Sequence, residues 1–340
     1  MRAFVITAPG RAEVQEVPEP EPEPGQVVVD VHLVGVCGTD EEFWTGHMAY
    51  LHTGHAQYPL RPGHEWTGTV SQVGAGVSAD WIGKRVTGDT MLGCEACAPC
   101  RAGNHHVCAQ RYEVGIRGGF PGALAEKLAV PARALHEIPD TIDDVTAALV
   151  EPGANALRAA LACDPQPGQY VLVFGPGTIG ILVSLFLRAR GVEVHLVGTT
   201  ETSRDFARSL GFEVVASVKE IPRPRYNAVV DATNGAGVPQ SALARVAPAG
   251  RLVLIGLAPV PTEIDTRDFV LNDITAVGIL SGSPGLVPTI TDYASGRVDP
   301  RPIVAATVGL WELDAVLNGT RPSDAGAGPK ILVDPRRSAK

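Results

Sequence analysis

An apolar pentad, Tyr170-Val-Leu-Val-Phe174, runs straight into Gly175-Pro-Gly-Thr-Ile-Gly180, and a helical stretch from Ile179 to Arg190 follows at once. The pattern G-x-G-x-x-G alone says little. Between a strand and a helix it says more, because small residues allow a tight turn and close approach of backbone to a pyrophosphate. The helix start, with Gly177, Thr178, Ile179 and Gly180, adds amide donors and a favourable dipole. The same rhythm continues downstream. Glu193 to Val197 reads as a strand, Ser203 to Leu210 as a helix, and Ala228 to Asp231 and Arg251 to Ile255 as further strands. Strands and helices in alternation predict an α/β fold, a doubly wound parallel sheet.

The residues before this region have a different texture. Short strand-like pieces divided by Gly and Pro (Arg2 to Ala8, Val27 to Gly35, Thr67 to Val73, Arg85 to Gly88, Leu124 to Val130) predict a partly closed β-barrel. The run Pro18 to Gly25 cannot be helical and reads as a solvated connector. Asp144 to Cys163 has helical spacing, and Lys330 to Asp334 is a strand that could return to the first domain. A chain of 340 residues suits two such domains.

With 28 Lys and Arg against 37 Asp and Glu, the net charge of −9 disfavours nucleic acid and anionic lipid as partners. The N-terminal stretch lacks the apolar run of a secretory signal, and no segment is long and apolar enough to span a membrane. A cytoplasmic location is expected. The six cysteines are then thiols or metal ligands rather than disulfides.

Four of them, Cys94, Cys97, Cys100 and Cys108, lie close together. Four thiolates make the soft tetrahedral shell preferred by a structural zinc. A ferredoxin run would continue with three residues and Cys-Pro, whereas here seven residues precede Cys108 and Ala109 follows. Neighbouring His105 and His106 read as solvent-facing. A second constellation is dispersed: Cys37-Gly-Thr-Asp40, Gly63-His-Glu65 and Glu151-Pro152. Cys, His and carboxylate suit a catalytic zinc with one open position. Each residue alone has a plain structural use, as small core thiol, core histidine or helix-start charge.

The order CGTD, GHE, four-cysteine lobe, EP and GPGTIG resembles the zinc-dependent medium-chain dehydrogenase/reductase superfamily over essentially the whole chain. The resemblance implies a GroES-like β-barrel catalytic domain plus a Rossmann doubly wound parallel sheet, with the active site in the cleft between them. The expected divisions are 1–150 (with the zinc lobe at about 93–109), 151–278 for the nucleotide-binding domain, and 279–340 returning to the catalytic domain. Carried over by position, Cys37, His64 and Glu151 are expected zinc ligands, and Glu65 stands beside them, able to exchange with water or substrate. Asp40 is expected to hold the His64 ring by a hydrogen bond. Thr39 is expected to take the substrate hydroxyl proton, and Lys330 to lie against the cofactor pyrophosphate.

Many alcohol dehydrogenases carry a histidine five residues after the first cysteine, but this chain has Glu42. The glucose dehydrogenase branch also has an acidic residue there, which favours a polar, polyhydroxylated substrate. Trp44, His47 and the stretch His52 to Leu60 are equally readable as pocket or surface loop. At the end of the second strand of the parallel sheet, where NAD enzymes place Asp or Glu, stands Gly198, followed by Thr199, Thr200 and Arg204. This favours NADP, with NAD possible if Glu201 swings back to the ribose. The resulting expectation is a zinc-dependent oxidoreductase moving hydride between NADP(H) and a polar secondary alcohol, polyol or sugar-like small molecule, as a homodimer or homotetramer. Two alternatives stay open: a carbonyl reductase of secondary metabolism acting on an amino sugar or cyclitol, and a non-catalytic nucleotide or redox sensor.

Overall fold

The computed structural model describes residues 1–338. Nine strands precede the parallel sheet: β1 (Arg2–Ala8), β2 (Arg11–Glu16), β3 (Gln26–Gly35), β4 (Glu65–Val73), β5 (Arg85–Gly88), β6 (Met91–Leu92), β7 (Tyr112–Glu113), β8 (Lys127–Pro131) and β9 (Leu135–Glu137). The sheet strands are β10 (Tyr170–Phe174), β11 (Glu193–Val197), β12 (Glu213–Val215), β13 (Tyr226–Asp231), β14 (Val246–Leu254) and β15 (Thr275–Gly278), and two more follow, β16 (Val304–Val308) and β17 (Lys330–Val333).

β10 to β15 form one all-parallel sheet in the order β12-β11-β10-β13-β14-β15. The order reverses between β10 and β13, which opens a crevice at the carboxyl ends of those strands. Val171, Leu172 and Val173 are buried in succession, as expected of a strand covered on both faces. The helix Thr178–Arg188 returns from β10 and buries Ile181, Leu182, Val183, Phe186 and Leu187. The sheet keeps the strand and helix alternation read in the sequence and adds two edge strands that reading did not name, β12 and β15, while β14 begins at Val246 rather than Arg251.

The second sheet runs β16-β17-β3-β4-β5-β9, with β8 also paired to β3, and joins the two ends of the chain. β17 is antiparallel to β3, with Leu332 opposite Gly35, and β3 is antiparallel to β4, with Gly35 opposite Glu65. Its interior is the cluster around Phe4, Val29, Trp66, Leu124 and Leu128. β6 pairs with β7 at the base of the cysteine lobe.

Several boundaries differ from expectation. The helical stretch Asp144 to Cys163 is two helices, Asp144–Ala148 and Val150–Ala162, parted at Leu149. Pro152 lacks an amide hydrogen and is tolerated only in a first turn, so a new helix must begin just ahead of it. Leu124 belongs to a turn that receives the Phe4 amide, and the strand begins only at Lys127. Beyond residue 278 the chain meets the barrel side at Asp89 through Ser283 and then runs into a helix. The helix Leu286–Ala294 packs on the helix Val150–Ala162, and Tyr293 stacks on Phe186 at 5.9 Å. Among the described residues no helix is long and apolar enough to cross a membrane.

Candidate active site and metal centres

The pairing of β3 with β4 brings the first cluster together. Cys37 lies just past the end of β3, and His64 and Glu65 stand at the start of β4, so register alone makes them neighbours. The donor atoms of Cys37, His64 and Glu65 lie within 4.8 Å of one another. The space is tight: a Cβ on Gly35 would sit 2.1 Å from Glu65 Oε2, so no larger residue fits at that register position.

Asp40, fully buried, caps the helix Gly38–Thr45 and ties the two ligand segments together. Its Oδ2 accepts from the Cys37 amide at 2.9 Å and its Oδ1 from the Gly63 amide at 3.2 Å. The expected hydrogen bond to His64 is not formed, since Asp40 Oδ1 is 4.0 Å from Nδ1. Asp40 positions the backbone on either side of the ligands instead of the imidazole ring. Burial raises its pKa above the usual carboxylate range, against the pull of His64.

Lys330 opens β17 and reaches under the same cluster. Its Nζ donates to Glu65 Oε2 at 2.6 Å and to the Val36 carbonyl at 2.8 Å, buried on all sides. The structure therefore places this lysine at the ligand cluster and not on an open surface facing a pyrophosphate, because β17 pairs with β3 immediately beside Cys37. Glu151, in the first turn of the helix Val150–Ala162, lies next to the trio without joining it. Its Oε1 accepts from Asn155 Nδ2 at 3.0 Å. Burial, with the charge of Glu65, pushes its pKa up to about 7 in spite of His64.

The donors fit a zinc ion. A thiol, an imidazole and carboxylates are the ligand types of catalytic zinc sites. Three acidic side chains, Asp40, Glu65 and Glu151, are buried here against the single ammonium of Lys330. His64 Nδ1 is buried without a hydrogen-bond partner. Burial alone would lower the His64 pKa, but the Cys37 thiol and the charges of Asp40 and Glu151 hold it well above the ordinary value. A dication answers the excess of acid. Thr39 is half-buried in the helix start, and among the described residues its hydroxyl has no partner.

The second centre is Cys94, Cys97, Cys100 and Cys108, whose sulfurs lie within 4.8 Å of one another. Cys97 and Cys108 are 3.7 Å apart, near the S–S edge of about 3.8 Å that four Zn–S bonds of ~2.3 Å require. All are free thiols. Amides of Ala96 and Cys97 lower the Cys94 thiol to about 6, which favours the thiolate that a metal binds. The two histidines of the lobe are not solvent-facing as expected. His106 is buried, and His105 Nε2 lies 2.6 Å from Asp89, which also accepts from Ser283 Oγ at 2.6 Å. These contacts fasten the lobe to the barrel and to the segment after β15.

The third element is the crevice between β10 and β13. Gly175 has φ of +90°, and a Cβ there would meet Thr233 Cγ2 at 2.7 Å. Gly180 lets the helix close on the strand, since its Cβ would fall 1.9 Å from the Gly175 carbonyl. Gly177, the helix N-cap, faces open space, with Thr178 and Ile179 half-buried behind it. This is a cradle suited to a pyrophosphate. Gly198 has a packing reason too, because a Cβ would meet Pro176 Cγ at 2.6 Å. Arg204 Nη1 donates to the Gly198 and Thr199 carbonyls at 3.0 and 2.9 Å. Thr200 caps the following helix by accepting from the Ser203 amide, while Thr199 is exposed. Trp44 is used in the fold, its Nε1 donating to Asp314 at 2.9 Å.

Comparison with known proteins bears on the same elements. Residues 23–140 match the family model for the alcohol dehydrogenase GroES-like domain, and residues 178–295 match that for zinc-binding dehydrogenase. An L-threonine 3-dehydrogenase of Mesorhizobium japonicum is 31% identical over 336 residues, covering 94% of each chain. A solved structure from Sinorhizobium meliloti 1021, described as a zinc-binding dehydrogenase and bound to NADP, is 27% identical with a TM-score of 0.88 over 98% of this chain and 99% of that one. A short chain alcohol dehydrogenase from E. coli CFT073 complexed with NADH shares the fold, at 24% identity, the same TM-score and the same coverage.

Proposed function

Because the chain belongs to the zinc-dependent medium-chain dehydrogenase superfamily, we propose that it moves a hydride between NADP(H) and a polar secondary alcohol, polyol or sugar-like substrate. The observation that carries this reading is the trio Cys37, His64 and Glu65, whose donor atoms lie within 4.8 Å of one another.

When bound, zinc supplies Lewis acidity toward the substrate oxygen, and the nicotinamide accepts or donates the hydride. Cys37 and His64 would hold the metal, with Glu65 and Glu151 as the carboxylates that can complete its shell. Thr39 holds the substrate hydroxyl proton, for which it can both accept and donate. Asp40 keeps the Cys37 and Gly63 segments in place through their amides. Lys330 anchors Glu65 and balances its charge. The four cysteines of the lobe would hold a second, structural zinc, closed to substrate.

On the cofactor side, the amides at Gly177, Thr178, Ile179 and Gly180 receive the pyrophosphate. Gly198 removes the carboxylate that would repel a 2′-phosphate, and Arg204 stands beside it with Thr199 and Thr200 as hydroxyl donors. The NADP in the Sinorhizobium meliloti relative supports this assignment.

The working unit is a homodimer joined at the free edge of β15. Leu257, Val270 and Leu271 lie on the same domain and are 80%, 82% and 80% exposed, a cost a second copy would remove. The free cysteines suit a reducing compartment, the cytoplasm. The deciding experiment is a panel of alcohols, polyols, sugars and cyclitols with NADP and NADPH, followed by absorbance of the reduced nicotinamide. Turnover confined to apolar primary alcohols, or none with a zinc-loaded protein, overturns the reading.

A further inference from the structure

Outside the active site, the N-terminal hairpin and the Pro-rich connector cover a cavity of about 520 Å³. Its walls are mostly apolar, with Met1, Val5, Val17, Ile116 and Phe120, and Gln57 adds a polar side chain; none of the catalytic cluster lines it. The charged side chain among its lining residues is Arg61. The Nε of Arg61 is buried without a hydrogen-bond partner, and among the described residues the guanidinium has neither an acidic partner nor any side-chain hydrogen bond. Other half-buried or buried cations of the barrel have partners, and Arg117, which has no carboxylate, donates to the Ala109 carbonyl and lies over the Tyr50 ring. Arg2 pairs with Glu126, Arg85 with Asp144, Arg111 with Glu113 and Lys330 with Glu65.

Arg61 is half-buried with its Nε fully so, and a cation partly withdrawn from water without a counter-ion is costly. Burial draws the Arg61 pKa down to about 10, so the group is still charged at neutral pH. An anion arriving in the cavity would supply the missing acceptors, and the apolar walls would take the rest of the molecule. Guanidinium and carboxylate match as a fork with two parallel hydrogen bonds.

We propose that this cavity is a second small-molecule site, which binds an organic monocarboxylate with an apolar body, Arg61 taking the carboxylate. The polar part of the ligand is fixed by one side chain and its size by the cavity. Arg61 also belongs to the segment that carries the ligands His64 and Glu65, and its carbonyl accepts from the Gly122 amide at 2.8 Å. The site and the metal centre therefore share one stretch of backbone while remaining separate in their lining residues.

Methionine-methyl NMR provides a local reading, because the chain has 3 methionines, of which Met1 lines this cavity and Met91 another. Hexanoate is titrated into zinc-loaded enzyme with NADP bound. The Met1 methyl should shift saturably while Met91 does not, and 1-hexanol and acetate should each bind at least about tenfold more weakly. A charge-assisted pair predicts that Arg61→Gln weakens hexanoate by about ten- to a hundredfold, with Arg61→Lys between. Equal affinity in Arg61→Gln, equal affinity for 1-hexanol, or hexanoate shifts confined to Met91 or absent altogether would each overturn the proposal. If Arg61→Gln does not fold, the hexanoate, hexanol and acetate comparison on the unaltered protein decides the matter alone. Loss of dehydrogenase activity bears on the active site and not on this one.

Discussion

Lys330 Nζ stands 2.6 Å from Glu65 Oε2, and the two side chains are 3% and 2% exposed. The pair is 265 residues apart in sequence and closes beneath Cys37. Breaking a buried pair by removing one partner costs about 3–5 kcal/mol, because the other charge is left uncompensated. Lys330→Met is expected to destabilise the zinc-free protein by about that amount. With zinc bound, the dication offsets the charge of Glu65, and the loss should shrink. Denaturant midpoints with and without chelator test this. The same loss in both forms would mean that Glu65 does not face the metal.

Two zinc ions per chain are expected, because the two donor sets are separate and the lobe closes on its own four sulfurs. Elemental analysis should find one fewer in Cys97→Ser and one fewer in Cys37→Ser. A single zinc, indifferent to Cys37→Ser, would remove the catalytic centre from the account.

Thr39→Val keeps the shape of the side chain and deletes the hydroxyl. Turnover should fall by about 10²- to 10⁴-fold, the usual contribution of a positioned proton acceptor. Zinc content and cofactor affinity should stay near those of the unaltered enzyme. Retained turnover on the best substrate would exclude Thr39 from proton transfer.

Arg204→Ala should lower kcat/KM with NADP by about ten- to a hundredfold, the worth of a charge-assisted hydrogen bond, and leave NAD little changed. Since Arg204 also donates to the Gly198 and Thr199 carbonyls, a loosened loop would lower both alike. The ratio of the two cofactors therefore separates recognition from support. A preference for NAD in the unaltered enzyme would reverse the assignment.

Leu271→Asp places a charge on the exposed surface near β15. Sedimentation should report monomers for this variant and dimers for the unaltered chain. A dimer that survives the substitution must close elsewhere.

Much of this was legible along the chain because the signals are local. The glycine turn follows its strand directly, the four cysteines lie within fifteen residues, and strand-helix alternation is a periodicity that each element carries by itself. Cys37, His64, Glu65 and Glu151 were legible as candidates through their motifs, and β3–β4 register brought the first three together. What tertiary structure alone decided is which groups meet across long separations. The placement of Lys330 on Glu65 follows from strand pairing, and that of Asp40 on two backbone amides rather than on His64, with the burial of His106, from tertiary packing. No composition or spacing encodes these. The partner of Lys330 is set by the register of strands distant in sequence, where one residue of slip would send it to the opposite face, and those of Asp40 and His106 by how their short helices pack on the barrel.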